Sequence, residues 1–507
     1  MKRKPQAPRK VRISLATRAP RLETLDFLGD MPAREFRAAS HRVADTLADY
    51  LEKVEAYPVL PRIVPGDVQR LLPIAPPSRG EPIARILKDY QRIIEPHVTH
   101  WNHPGFLAYF ASSGSGPGIL GESLAAGLNT NAMIWRTGPA QTELEERVCD
   151  WLRRMFGLPK IFRGHINDTA SISTLLALAA ARQRLPGLDI RRRGLAGRPE
   201  LPKLVIYASE QAHSSVDKAA VVLGLGSEQV RKIPVDADFR MRSEALERAI
   251  AADRAAGHLP VAVVGTAGTT STTSFDPLPA LAALCRREKV WLHVDAAFGG
   301  SAAVCAEFRS HLKGWEQADS IVINPHKWLF TPIDCSVLLV RDPEALRVAF
   351  AVTPEYLHTR EQGATNLMDH GVQLGRRFRS LKLWMVLRYF GVAGLRQRLR
   401  AHVKWAQEFA GWIKREQGFE LCAPAPLNTV CFRAVPKALH DKPEALDRFN
   451  EQLLAEVNAA GPVFVSHTKL HGRYCLRLSV GNIRTQRKQV LEAWELILEK
   501  ARRLPNR

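Results

Sequence analysis

The stretch Ser320-Ile321-Val322-Ile323-Asn324-Pro325-His326-Lys327-Trp328 decides how the rest of this chain is read. Ile321, Val322 and Ile323 make a short apolar run suited to a buried strand. Asn324 and Pro325 end it, because the residue before a proline is pushed out of helical geometry. Lys327 follows, between a histidine and a tryptophan. A lysine after a strand is ordinarily a solvated surface group. Desolvated among aromatic groups, the same amine becomes a nucleophile able to form a Schiff base. The stretch by itself leaves both readings open.

A second segment, Val290-Trp291-Leu292-His293-Val294-Asp295-Ala296-Ala297-Phe298-Gly299-Gly300, decides between them. Here an apolar strand ends in a carboxylate followed by small residues. An aspartate and a lysine at successive strand ends suit pyridoxal 5'-phosphate (PLP). The lysine holds the aldehyde and the aspartate holds the pyridinium nitrogen. Two further motifs are Gln211-Ala212-His213-Ser214-Ser215 and Leu374-Gly375-Arg376-Arg377-Phe378-Arg379-Ser380-Leu381-Lys382. With these four the chain resembles the group II PLP-dependent amino-acid decarboxylases, and among them the aromatic-L-amino-acid decarboxylases. The resemblance runs from about Met31 to Leu498. It implies an α/β protein of fold-type I, aspartate-aminotransferase-like, with a mainly parallel large-domain sheet and a small C-terminal α+β domain.

The bulk numbers agree with a soluble enzyme. A chain of 507 residues exceeds one ordinary domain. Its 46% hydrophobic and 24% charged residues are ordinary for a globular protein. No apolar run reaches the ~20 residues of a membrane span, and the N-terminus has no signal-peptide h-region, so no membrane partner is expected. The cysteines at 149, 285, 305, 335, 422, 431 and 475 form no CxxC pair. That argues against a metal site or a disulfide framework and for the reducing cytoplasm. The net charge of +21 raises the question of nucleic acid. The basic residues are dispersed and no nucleic-acid motif is present, so no such partner is expected.

Four regions are expected. Residues 1–22 carry basic residues and no acid, and read as a disordered tail. Residues 23–107 read as a helical extension. In it Asp30 caps a helix, Pro32 suits its first turn, and Phe36, Val43, Leu47, Tyr50 and Leu51 share a face. A second amphipathic stretch covers Ile83 to Ile94. The resemblance implies that this extension packs across a homodimer. Residues 108–390 alternate strands and helices. Strands are expected at Leu204–Ala208, Val261–Thr266, Val290–Val294, Ser320–Asn324 and Ser336–Val340. Residues 391–507 form the small domain.

In such sheets functional groups gather at the C-terminal strand ends, where His213, Thr270, Asp295 and Lys327 all fall. A helix opening at Ser171 offers amides and its dipole to a phosphate, with Thr169, Ala170 and Ser171 as the holding residues. An ordinary helix cap explains those residues equally well. Asp168 stands where the family suggests glycine, and is expected to cap with its carboxylate turned away from the anion. The resemblance implies that His213 stacks on the cofactor ring. It places Ala297, Asn324 and His326 beside the cofactor, and makes Thr270 the hydroxyl nearest the ring or Asp295. It also puts Tyr109, Phe110 and Ser112 in the substrate pocket, and sends Met133 across the dimer toward the substrate. Trp101 reads equally as packing under a loop or as a pocket wall, and Arg477 as structural or as facing the site.

The resemblance implies loss of carbon dioxide from an L-amino acid, aromatic by the closest likeness, with Lys327, His213 and Asp295 as the catalytic set. One departure keeps a second product open. Family members carry a loop tyrosine that protonates Cα, and an ungapped count back from Leu374 puts Leu367 at its place. Leucine cannot donate a proton. Either another group, with His370 and His358 nearest, protonates Cα, or oxygen intervenes and the enzyme is an aromatic aldehyde synthase. A catalytically dead basic scaffold is the reading from a different class. The joint presence of Lys327, Asp295 and His213 argues against it.

Overall fold

The computed structural model describes residues 29–352, 361 and 363–505. Two sheets organise them. The large sheet contains β1 (Arg163–Asn167), β2 (Leu204–Ser209), β3 (Val230–Ile233), β4 (Leu259–Thr266), β5 (Trp291–Asp295), β6 (Ser320–Ile323) and β7 (Ser336–Val340). Their order is β1-β7-β6-β5-β4-β2-β3. The β6-β5-β4-β2-β3 block is parallel, and only β7 runs against its neighbours.

The sequence explains the two-sided burial. β2 alternates between two cores: Val205 and Tyr207 face one, while Leu204, Ile206 and Ala208 face the other. A strand with apolar residues on both faces needs helices on both faces. The helix Pro139–Met155 covers the first core through Val148 and Leu152, and the helix Ala170–Gln183 covers the second through Leu176 and Ala180. β5 and β6 lie side by side with Asp295 opposite Val322. The two strand ends that carry Asp295 and Lys327 are therefore neighbours.

The small sheet contains β8 (Phe419–Leu421), β9 (Thr429–Ala434), β10 (Ser466–Leu470) and β11 (Arg473–Ser479), antiparallel in the order β10-β11-β9-β8. The helices Pro443–Ala460 and Arg487–Arg503 bury one face of it. On the other, Arg477 reaches the large domain by donating through Nε to the Ser271 carbonyl at 3.0 Å.

All five expected large-sheet strands form, within a residue or two of the expected bounds. The short β1, β3, β8 and β10 were not foreseen. Each carries charged or polar residues, such as Arg231 and Lys232 in β3, which break the apolar pattern. Asp30 does not cap the first helix. Pro32 holds the N-cap place of Ala33–Lys53, and the Asp30 carboxylate accepts the Met31 amide at 2.7 Å. The Ile83 stretch is α-helical only to Asp89 and widens into a π turn over Tyr90–Ile94. The expected helix Leu395–Ile413 is the second half of Arg379–Arg415, broken at Gly391, where φ is 58°.

The Leu374–Lys382 motif is a set of ion pairs. Arg376 donates to Glu145 at 2.6 Å and to the Ile166 carbonyl at 3.0 Å. Arg377 pairs with Glu122, Arg379 with Asp334 at 2.8 Å, and Lys382 with Glu122 at 2.7 Å. Carboxylates from two helices and from the loop before β7 therefore fix this one segment.

Candidate active site

Lys327 leaves β6 through a tight turn. Its amide donates to the Asn324 carbonyl at 3.0 Å. His326 Nδ1 accepts the Cys335 amide at 2.9 Å, which locks the turn to the segment before β7. Burial, with Lys327 and Lys382 nearby, pushes the His326 pKa down to about 3 despite Asp334. The imidazole is neutral, and its other nitrogen is the donor. Trp328 is fully buried and donates from Nε1 to His402 Nδ1 at 3.0 Å.

The side chains around the lysine form an aromatic column. Phe110 stacks on Phe298 at 3.7 Å and 7°, and Phe298 stacks on Trp328 at 5.1 Å and 10°. The Lys327 amine lies 5.4 Å from the Phe110 centroid, and the Arg477 guanidinium lies 4.7 Å from it. Burial lowers the Lys327 pKa below that of free lysine. The Arg477 charge adds to this, and Asp295 opposes it. A lowered pKa enlarges the neutral, nucleophilic fraction of the amine.

Asp295 ends β5 almost buried, and its Oδ1 accepts the Ala297 amide at 3.1 Å. Among the described residues the other oxygen has no hydrogen-bond donor. Asn324 is buried with its Oδ1 unpartnered. Thr266, directly beside Asp295 in the β4–β5 register, has a buried and unpartnered hydroxyl. Arg477 is buried with Nη2 unpartnered, while Nη1 donates to the Ala108 carbonyl at 2.5 Å and Nε to Ser271. Burial pushes its pKa to about 10. Unpaired buried polar atoms are rare because each one costs free energy. Three such atoms near a lysine and an aspartate fit a polar cofactor and an anionic substrate.

His213 follows β2 in an exposed turn. Its Nδ1 accepts the Ser215 amide at 3.1 Å, so the proton sits on Nε2. The side chain is exposed, yet desolvation lowers its pKa, with Lys327 and Lys218 adding and Asp295 opposing. Its ring is thus neutral and free to lie against a flat partner. At the far end Thr169 is the N-cap of Ala170–Gln183. Ala170, Ser171 and Ile172 supply first-turn amides that no side chain occupies, and Ser171 is exposed. Asp168 is not the cap. Its Oδ1 accepts the Thr169 amide and, at 3.1 Å, the Thr169 hydroxyl, so these two expected phosphate donors already have a partner.

Thr270 is exposed and makes no hydrogen bond to Asp295; Thr266 stands there instead. Nothing in the local pattern separates the two threonines, since one ends β4 and the other stands four residues beyond it. Phe298 was also missed, although it follows Asp295-Ala296-Ala297 directly. The expected substrate residues divide. Phe110 is buried under Lys327, whereas Trp101 (39% exposed) stacks on Phe106 at 4.3 Å and Tyr109 (51% exposed) stands beside it. Ser112 is half-buried on the same stretch. Met133 packs with Ile134 and Met368, and its carbonyl accepts the Met368 amide at 3.1 Å. Within one chain it is not part of the Phe110 wall.

Leu367 is buried (2% exposed) in a short turn, Leu367–His370. A buried turn is a poor place for a mobile proton donor. His370 lies against His165 at 5.6 Å, with its pKa pushed down to about 4 by burial and Arg376. His358 lies outside the described residues.

This arrangement defines a PLP-binding carboxy-lyase, and the comparisons agree. The chain matches the pyridoxal-dependent decarboxylase conserved domain over residues 65–435. It is 40% identical to phenylacetaldehyde synthase of a Rosa hybrid cultivar, covering 92% of this chain and 94% of the relative. It is also 40% identical to tyrosine decarboxylase 4 of Petroselinum crispum, covering 94% of this chain and 94% of the relative. The solved structure of Oryza sativa TDC with PLP and tryptamine superposes with a TM-score of 0.89 at 38% identity, over 94% of this chain and 99% of that one. The chain belongs to the pyridoxal-dependent decarboxylase family.

Proposed function

We propose that this chain releases the α-carboxylate of an aromatic L-amino acid as carbon dioxide and returns the amine, working as a homodimer in the cytoplasm. The observation that carries this reading is the convergence of a pKa-lowered Lys327, Asp295 and the unpartnered Arg477 donor around one stacked aromatic column. When bound, PLP supplies an electron sink for the pair released as a bond to Cα breaks.

The chain's own groups do the rest. The Lys327 amine would hold the cofactor aldehyde. The Asp295 carboxylate would keep a proton on the ring nitrogen, since an adjacent negative charge favours the protonated form. His213 would cover one ring face. Ala297, Asn324, His326, Thr266 and Thr270 would complete the walls, and the Ala170–Ile172 amides with Ser171 would hold the phosphate. Arg477 is cationic and has one free donor, so it can take a carboxylate and fix which Cα bond stands perpendicular to the ring. The Trp101–Tyr109 rim presents flat apolar faces, which suits an aromatic side chain.

Supporting the homodimer are Phe36 on the first helix and Leu120, Leu124 and Leu128 on the helix Gly116–Leu128. All are more than half exposed in the single chain, and they form stripes that a two-fold partner would cover. Met133, placed off the wall of its own chain, is then free to serve the partner. Supporting the cytoplasm, all seven cysteines are buried and unpaired.

The second reading, an aldehyde synthase, is favoured by the phenylacetaldehyde synthase likeness. The deciding residue is Leu367, which stands at the place of the loop tyrosine that protonates Cα in the family and cannot donate a proton itself. The test is a product assay with L-tryptophan, L-tyrosine, L-phenylalanine and L-DOPA, scoring amine, aldehyde, carbon dioxide and peroxide. Amine equal to carbon dioxide is expected from the parent, and Leu367→Tyr should raise the amine yield per carbon dioxide if the parent makes any aldehyde. Stoichiometric aldehyde and peroxide from the parent would establish the second reading.

A further inference from the structure

Asp168 is the one residue at this site whose charge opposes the ligand it borders. It stands directly before the N-cap Thr169 of the fourteen-residue helix Ala170–Gln183. Its Oδ1 accepts the Thr169 amide and hydroxyl, and its Oδ2 accepts Gln373 Nε2 at 3.1 Å. Among the described residues, no arginine, lysine or histidine lies within ion-pair distance of it. Asp168 raises the Arg379 pKa, but that guanidinium is committed to Asp334 at 2.8 and 3.3 Å. An uncompensated carboxylate therefore stands beside the three amides that would receive the cofactor phosphate, and it occupies two donors that would otherwise serve it.

We propose that Asp168 sets the cofactor affinity of this enzyme, holding it below what the rest of the site would give, so that PLP exchanges readily. This rests on the phosphate placement proposed above. The repulsion between a carboxylate and a phosphate dianion acts through space, and among the described residues no cation pairs directly with Asp168, the Arg379 guanidinium being held by Asp334. The three amides and the helix dipole still attract the dianion. The consequence is a holoenzyme fraction that follows the free cofactor concentration.

Asp168→Asn isolates the charge. Its side-chain oxygen still accepts from Thr169, and the Gln373 amide can turn to accept from the new NH₂. The measurement is equilibrium binding of PLP to purified apoprotein, followed by absorbance, beside the same titration with pyridoxal, which lacks the phosphate. Asp168→Asn is expected to bind PLP about tenfold tighter than the parent, as removal of one close like charge implies. The gain should shrink at high salt, and pyridoxal binding should not change. Asp168→Gly, a second variant, should also gain for PLP.

Equal or weaker PLP binding by an Asp168→Asn protein that melts like the parent would overturn the proposal. So would an equal gain for pyridoxal, because the charge would then not be acting on the phosphate. If parent and variant alike bind no PLP, the cofactor assignment itself fails. If both bind PLP but Ser171→Pro leaves the affinity unchanged, the phosphate lies elsewhere and the proposal fails with that placement.

Discussion

The two ends of the crevice are built on opposite principles. At the Lys327 end, a fully buried Trp328, an almost fully buried Phe298 and a neutral His326 remove water, and the potency of the amine comes from desolvation. At the Ser171 end the residues are exposed or half-buried, and the grip on an anion comes from helix amides and from the count of nearby charges. The dry end is specified by packing, which tolerates little change. The wet end is specified by electrostatics, which a single residue can retune.

The largest test of this contrast is Asp295→Asn at the dry end. It removes a charge that nothing else nearby can replace. Turnover should fall by about 10²–10³-fold, the scale of losing one buried electrostatic stabiliser. Cofactor affinity should fall much less. Near-parental turnover would show that Asp295 does not act on the ring nitrogen. Borohydride treatment of the holoenzyme should fix the label on Lys327. A reducible bond that persists in Lys327→Ala would move the Schiff base elsewhere.

Next in size is Phe110→Ala. It opens a cavity between Phe298 and the two cations, at a cost of about 3 kcal/mol in chemical denaturation. Water entering the cavity would let the Lys327 pKa rise toward that of free lysine. The alkaline rise of cofactor loading with pH should therefore shift upward. An unshifted profile would mean that Phe110 packs without desolvating the amine.

Lys327→Met probes the same desolvation from the stability side. An amine whose pKa is lowered on folding binds fewer protons folded than unfolded, so stability rises with pH from the folded value toward that of free lysine. Below that window the buried cation is a burden on the apoprotein. Lys327→Met should therefore stabilise the apoprotein at neutral pH by more than the roughly 0.5 kcal/mol of a neutral surface change. The gain should vanish as pH approaches that of the free amine. A gain independent of pH would show that charge burial is not its source.

The same contrast explains what the sequence disclosed. Lys327, Asp295 and His213 are legible because each ends or closely follows a buried strand, and the apolar run before it marks the place. Thr266 at the end of β4 and Phe298 just after β5 escape the sequence, because only the lateral register of β4 against β5 and the stacking on Phe110 single them out. Arg477 was undecided because its meaning depends on the absence of a carboxylate partner, which is a property of tertiary contacts. Asp168 was noticed as a departure, but its partners, Thr169 and the distant Gln373, had to be seen. The ungapped count names Leu367 from the sequence, but that it sits buried in the turn Leu367–His370 depends on tertiary packing that no count discloses.

The smallest effect is expected from Ser171→Ala at the wet end. The Ser171 hydroxyl is exposed, so water competes for every hydrogen bond it offers. Its loss should weaken PLP binding by only about two- to tenfold, matching a net hydrogen bond of about 0.5–1.5 kcal/mol. The backbone amides beside it remain, since alanine keeps the helix start intact. Turnover at saturating cofactor should stay at the parental level, because the phosphate is remote from the bond that breaks. The measurement is an equilibrium titration with PLP alongside saturating kinetics. A loss of a hundredfold or more would mean that Ser171 is desolvated when the anion is bound. The wet end would then be as dry in its working state as the Lys327 end, and the division between the two would collapse.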